Sequence, residues 1–236
     1  MAITFTTRVP ESPIRGGVVV VQEAFGVTDH IAEVCGRFAS AGWIAVAPHL
    51  FHRAGDPVVS YDDMSTAMDL IGALKAEEID QDVDAAFDEL AGYGYGPSGC
   101  AIVGFCMGGT VAFETAVRRP LGAAATFYGG GIREGRFGYP PLLDGATALR
   151  TPWHGFFGDL DTGIPVDDVD SLNAAVTDAQ VDTRIARYPD AEHGFHCNDR
   201  PAVYNERAAY DAWSRTLDWF DLHVDPAGEQ GRAPRG

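Results

Sequence analysis

Apolar positions along the chain gather into short runs separated by polar, glycine-rich breaks, and longer stretches of helical spacing lie between the runs. Residues 3–7, 17–22, 43–47, 100–103, 123–127, 153–157 and 183–188 read as strands. The central runs are continuously apolar rather than alternating, the pattern of strands covered on both faces. Residues 30–41, 65–91, 108–118, 167–176 and 204–222 read as helices, the second broken near Gly72 or Lys75. Strands alternating with helices build βαβ units, which predicts an α/β domain with a doubly wound, mostly parallel sheet flanked by helices. Residues 1–224 read as this single domain. Residues 225–236, "DPAGEQGRAPRG", are polar and rich in Gly and Pro and read as a flexible tail. Ligands of such sheets bind beyond the carboxyl ends of the strands. The informative loops are therefore "QEAFGV", "PHLFHR", "GFCMGG", "YGGG", "GDLDTGIP" and "YPDAEHGFH".

One of these loops has a demanding geometry. "GFCMGG" lies between the apolar run "CAIV" and the helical "TVAFETA". It matches the nucleophile elbow G-x-S-x-G with cysteine at the centre. Gly104 and Gly108 remove the Cβ atoms that would collide in a sharp strand-to-helix turn. Cys106 then stands above the sheet at a helix N-terminus, whose positive end favours a thiolate. The Met107 amide is placed to donate to a developing oxyanion. Nucleophile elbows take their acid and histidine later in the chain, in that order. "GDLDTGIP" offers Asp161 as first choice and Asp159 as second, and "YPDAEHGF" offers His193.

Composition narrows the partners. The chain has 236 residues, 46% hydrophobic and 22% charged, ordinary for a globular domain. It carries 17 Lys+Arg against 34 Asp+Glu, a net charge of −17. Such a surface argues against nucleic acid and anionic membranes as partners, and an anionic substrate would need local cations. The four cysteines, Cys35, Cys100, Cys106 and Cys197, form no C-x-x-C pair, which fits a reducing compartment. There is no basic-then-apolar leader, and the longest apolar runs are too short to cross a bilayer, so a cytoplasmic location is expected. His193, His196 and Cys197, with His49 and His52, could be read as a zinc cluster. A helix through "HGFHC" is not expected after "YPDAE", and His193 has the better role in a triad, so no metal site is assigned. Tyr204, Tyr210, Trp213, Trp219 and Phe220 follow helical spacing in part and read as a face packed on the sheet.

The pieces "VVVVQEAFGV", "GWIAVAPHLFHR", "VGFCMGGTVAFE", "FYGGGI", "GDLDTGIP" and "AEHGFHCNDRPAVYNERAAYDAWSRTLDWF" resemble the dienelactone hydrolase (carboxymethylenebutenolidase) family of α/β-hydrolases. The likeness runs from about residue 17 to 222. It implies a minimal α/β-hydrolase fold without a large cap domain, and cofactor-free hydrolysis of a small ester or lactone by a Cys106–His193–Asp161 triad. It implies that Glu23 lies close to Cys106 and guards its thiol at rest, and that Ala24 supplies a second oxyanion amide beside Met107. Family arginines that bind a substrate carboxylate come from the helical segment after the third strand loop and from four residues past the histidine. Here the first segment has only Lys75 as a cation, and the second position is Cys197. Arg53 and Arg200 are the substitutes, and Tyr128 is a further pocket candidate. A monomer or small homo-oligomer is expected. Two alternatives remain: a general carboxylesterase or lactonase for a neutral substrate, and a non-catalytic lactone-binding or thiol-sensing protein.

Overall fold

The computed structural model describes residues 3–11 and 13–225. Seven strands form one sheet in the order β1-β3-β2-β4-β5-β6-β7. They are β1 (Phe5–Arg8), β2 (Gly16–Val21), β3 (Trp43–Pro48), β4 (Cys100–Phe105), β5 (Ala123–Phe127), β6 (Trp153–Gly158) and β7 (Thr183–Tyr188). Only β1 runs antiparallel, against β3; every other pairing is parallel. Every residue of β2 to β6 is buried, as their continuous apolar runs predict. β7, at the sheet edge, is only half-buried, with Arg184 and Arg187 exposed. The tail expected at 225–236 lies, from 226 on, outside the described residues. No helix among the described residues is long and apolar enough to cross a membrane.

The helices are α1 (Asp29–Ser40), α2 (Met64–Gly72), α3 (Ala76–Gly92), α4 (Met107–Arg118), α5 (Leu142–Gly145), α6 (Val166–Val176) and α7 (Glu206–His223). The stretch 65–91 is two helices. Lys75 takes an extended conformation between them, with φ −126° and ψ 139°. The last helix starts at Glu206 rather than 204 because the Asn205 side chain caps it, accepting from the Ala208 amide at 3.1 Å. The four-residue α5 has too short a pattern to be legible in the sequence. The aromatic face expected on α7 is partial. Trp219 and Phe220 are buried, whereas Tyr210 is 75% exposed and turns to solvent.

The topology positions the site. From β2 the chain crosses to β3 on one side, then returns past β2 to β4 on the other. The loops after β2 and β4 therefore part in opposite directions, leaving a crevice at their carboxyl ends. In register, Val21 lies beside Gly104, and Phe105 beside Phe127. The next residues outward bring Glu23, Cys106 and Tyr128 to neighbouring strand ends.

Candidate active site

Cys106 occupies a strained backbone position, φ 55° and ψ −119°, between β4 and α4. A non-glycine residue holds such angles only where its surroundings force it. Its amide donates to the Phe127 carbonyl at 3.0 Å, and its carbonyl accepts from Gly109 at 2.9 Å. A Cβ on Gly104 would fall inside the Gly108 carbonyl, and one on Gly108 would sit 2.5 Å from the carbonyl oxygens of Val21 and Gln22. Both glycines are thus required by close backbone approach. Cys35, Cys100 and Cys197 are buried, whereas Cys106 is partly exposed. Burial pushes the Cys35 thiol up to about 12 and the Cys197 thiol up to about 11, so both are inert as nucleophiles at neutral pH.

Cys106 opens into a cavity of about 310 Å³ whose walls also include Glu23, Asp161, His193, Ala24 and Met107. His193 Nδ1 donates to Asp161 Oδ2 at 2.6 Å. Asp161 is 5% exposed, and its other oxygen accepts from the Gly163 amide at 2.8 Å. Burial alone would lower the pKa of His193, but the adjoining Cys106 side chain and the Asp161 carboxylate outweigh it and raise it to about 10. Asp159 is held elsewhere, by Arg187 at 2.7 and 3.0 Å. Of the two acids offered by "GDLDTGIP", the structure brings Asp161 to the histidine.

Glu23 is 1% exposed. Its Oε1 accepts from the Tyr128 hydroxyl at 3.2 Å, and its Oε2 has no partner among the described residues. Its loop is fixed from behind by Gln22, whose side chain accepts from the Leu50 amide at 3.0 Å and donates to the Glu23 carbonyl at 3.3 Å. This second role of "QE" was not legible in the sequence. Ala24 belongs to the tight turn Glu23–Gly26, and Met107 is the first residue of α4, whose amide has no intrahelical acceptor.

Two expected substrate contacts need correction. Arg53 does not line the cavity. Its guanidinium is bonded to the buried Asp82 carboxylate at 2.5 and 3.0 Å, and His52 joins the same acid at 3.2 Å. Tyr128 is 0% exposed and lies behind Glu23 rather than in the cavity wall. Burial raises its pKa well above the usual tyrosine value, so it remains a hydroxyl donor. Arg200 does line the cavity, and so do Met64 and Met68 of α2 and Arg136 and Phe137 of the loop after β5. The sequence marked that loop at "YGGG", but the cation six residues beyond Gly130 carries no motif.

The histidines of "HGFHC" part company. His196 is buried against His30 and Phe105, and its Nε2 accepts from Arg37 at 3.4 Å. Burial, His30 and Arg37 lower its pKa well below the usual value. Cys197 meets the Tyr61 hydroxyl at 3.4 Å. Among the described residues, no three His, Cys, Asp or Glu side chains are grouped to hold a metal ion.

This arrangement can be set beside known proteins. The family model "Dienelactone hydrolase family" matches residues 4–224. The chain is 38% identical over 209 residues to a "Putative carboxymethylenebutenolidase" of Salmonella typhimurium, covering 86% of this chain and 76% of that one. A Yersinia pestis protein of the same name is 37% identical over 212 residues, covering 87% and 78%. The crystal structure of a "Putative Dienelactone Hydrolase" from Klebsiella pneumoniae superposes with a TM-score of 0.83 at 31% identity, over 94% of this chain and 100% of that one. A match that spans the sheet from β1 to the end of α7, including the cysteine elbow, places this chain in the dienelactone hydrolase family, as a carboxylic-ester hydrolase of minimal α/β-hydrolase fold.

Proposed function

We propose that the chain hydrolyses an ester or lactone through a Cys106 thioester, with His193 and Asp161 completing the triad and Glu23 guarding the resting thiol. The observation that carries this reading is the 2.6 Å bond from His193 to the buried Asp161, beside a strained, partly exposed cysteine in one cavity.

The thiolate of Cys106 attacks the carbonyl carbon, and the oxyanion is received by the amides of Met107 and Ala24. Imidazolium His193 protonates the departing oxygen. Formation of the thioester removes the thiolate charge that holds the proton on His193. Burial then acts against Asp161 alone, and the imidazole becomes available as a base. In that form it takes a proton from water, which attacks the thioester and releases the acid. Before substrate arrives Cys106 is a thiol, and Glu23 stands in the same cavity with Oε2 unpartnered, free to receive that thiol's hydrogen bond; on substrate binding the thiol proton passes to His193, which gives the thiolate–imidazolium pair that starts the reaction. A guarded thiol resists oxidation better than a standing thiolate.

A thioester forms readily but its thiolate also leaves readily, so the site suits activated esters and lactones better than alkyl esters or amides. The test is hydrolysis of an activated aryl acetate by wild type and Cys106→Ala. Saturable turnover by wild type and a loss of at least about 10³-fold in the variant are expected. Comparable turnover by both proteins would remove Cys106 from the chemistry. Stoichiometric modification of Cys106 without release would favour a thiol-sensing protein.

A further inference from the structure

The cavity has an apolar side that the bond-breaking steps do not call on. α2 contributes Met64, Met68 and Ile71, spaced at i, i+4 and i+7 and so on one face of the helix. Ile71 is buried and, with the buried Ala67, anchors α2 to the core. Met64 and Met68 are 47% and 56% exposed. The other exposed side chains of α2, those of Ser65, Thr66 and Asp69, are polar. The two exposed apolar side chains of this helix are therefore the two that stand at the wall of the Cys106 cavity. Phe137 adds an aromatic surface from the loop after β5. Its φ is 58°, in the left-handed region that an aromatic residue seldom enters. Strain of this kind persists only where packing over-determines it, and it clusters at ligand sites. Here the packing comes from α3: a Cβ on Gly138 would stand 3.2 Å from the Ala76 amide nitrogen, and the Tyr139 hydroxyl donates to Asp80 at 2.8 Å.

We infer that Met64 and Met68 are specificity-determining residues, which bind the acyl group of the substrate and select an apolar chain of several carbons. The inference rests on the proposed cysteine chemistry, which directs the substrate. At the reacting carbonyl the oxyanion turns to the amides of Met107 and Ala24, and the leaving oxygen turns to His193. His193 comes from the loop after β7, whereas α2 follows β3, across β4 from β7 in the sheet. The substituent directed toward α2 is therefore the acyl group rather than the leaving alcohol. Methionine is unbranched, with a polarizable thioether, so a pair of them moulds to chains of different length and shape. Covering the two side chains with substrate removes exposed apolar surface from water on both partners.

The test has a kinetic arm and a binding arm. With 4-nitrophenyl acetate, butanoate and hexanoate the leaving group is constant, and kcat/KM is expected to rise at least about tenfold from acetate to hexanoate, chiefly through KM. Replacing both residues, Met64→Ser with Met68→Ser, is expected to lower that hexanoate-to-acetate ratio about tenfold. The pair Met64→Leu with Met68→Leu keeps volume and apolarity and is expected to hold it within about threefold. Leu222→Ser, which removes an exposed apolar side chain from the far end of α7, is expected to leave it within about twofold. The binding arm needs no hydrolysis. The chain has four methionines, so carbon-13 methyl NMR gives four signals, and the single leucine variants assign those of Met64 and Met68. Hexananilide, a neutral amide, is expected to shift these two signals saturably, and acetanilide to shift them far less. A flat chain-length series in wild type, an unchanged ratio in the double serine variant, an equal fall in Leu222→Ser, or signals that respond alike to the two anilides would overturn the inference. Failure of the cysteine chemistry has a different signature: aryl acetate turnover that survives Cys106→Ala.

Discussion

His193 is the residue on which the proposed proton control converges. While the Cys106 thiolate stands beside it, its raised pKa keeps the imidazolium populated below about pH 10 and loses it above. Hydrolysis is therefore expected to persist into alkaline solution and to fall on a limb near pH 10, and Asp161→Asn is expected to move that limb downward. The same substitution should lower kcat by about 10²–10⁴-fold, as removal of an orienting acid does elsewhere. Asp159→Asn should change kcat less than about threefold, because its partner is Arg187 on the sheet edge. Steady-state kinetics of the two variants across pH checks both statements. At this scale the sequence singled out Cys106, Asp161, His193 and Glu23, which the structure brings to one cavity, because chain order and loop position are one-dimensional facts. It did not carry the fate of Arg53, which depends on Asp82 arriving from α3, or of Tyr128, whose hydroxyl turns back to Glu23.

Among the elements, the β4–α4 elbow is the most constrained. An Ala at Gly104 would place its methyl in the Gly108 carbonyl, and the backbone cannot yield without moving Cys106. Gly104→Ala is expected to cost roughly 3 kcal/mol or more of stability, measured by denaturant unfolding, and to abolish Cys106-dependent turnover in any folded fraction. The elbow was legible because glycines at fixed spacing between a strand and a helix are seldom needed except where two backbones nearly touch. The break between α2 and α3 was legible only as a weak point, since neither segment has a strong stop signal. Its consequence was not: separating α2 lets Met64, Met68 and Ile71 face the cavity. The loop holding Arg136 lacks regular structure, so its reach into the cavity follows from tertiary packing alone.

For the whole molecule, a parallel sheet turns separate loops into one site, and continuous apolar runs predict the strands and their burial on both faces. Buried charge between helices is less visible from sequence. Glu114 of α4 lies among the apolar positions of its helix, 8% exposed, with Oε1 unpartnered among the described residues. Burial first, then the nearby Asp80 and Asp144 carboxylates, pushes its pKa up to about 7. An acid that binds its proton more tightly when folded destabilises the fold as pH rises from about 4.5 through 7. Glu114→Gln is therefore expected to raise stability by on the order of 1–2 kcal/mol at pH 8, with the gain vanishing near pH 4.5. Thermal unfolding at the two pH values checks it. The catalytic account rests most directly on the identity of the acylated atom. Rapid quenching of the protein with an activated aryl ester, followed by peptide mass spectrometry, should show one acyl group on Cys106, removable by neutral hydroxylamine and absent from Cys106→Ala. An acyl group on any other residue, or undiminished turnover in that variant, would contradict it.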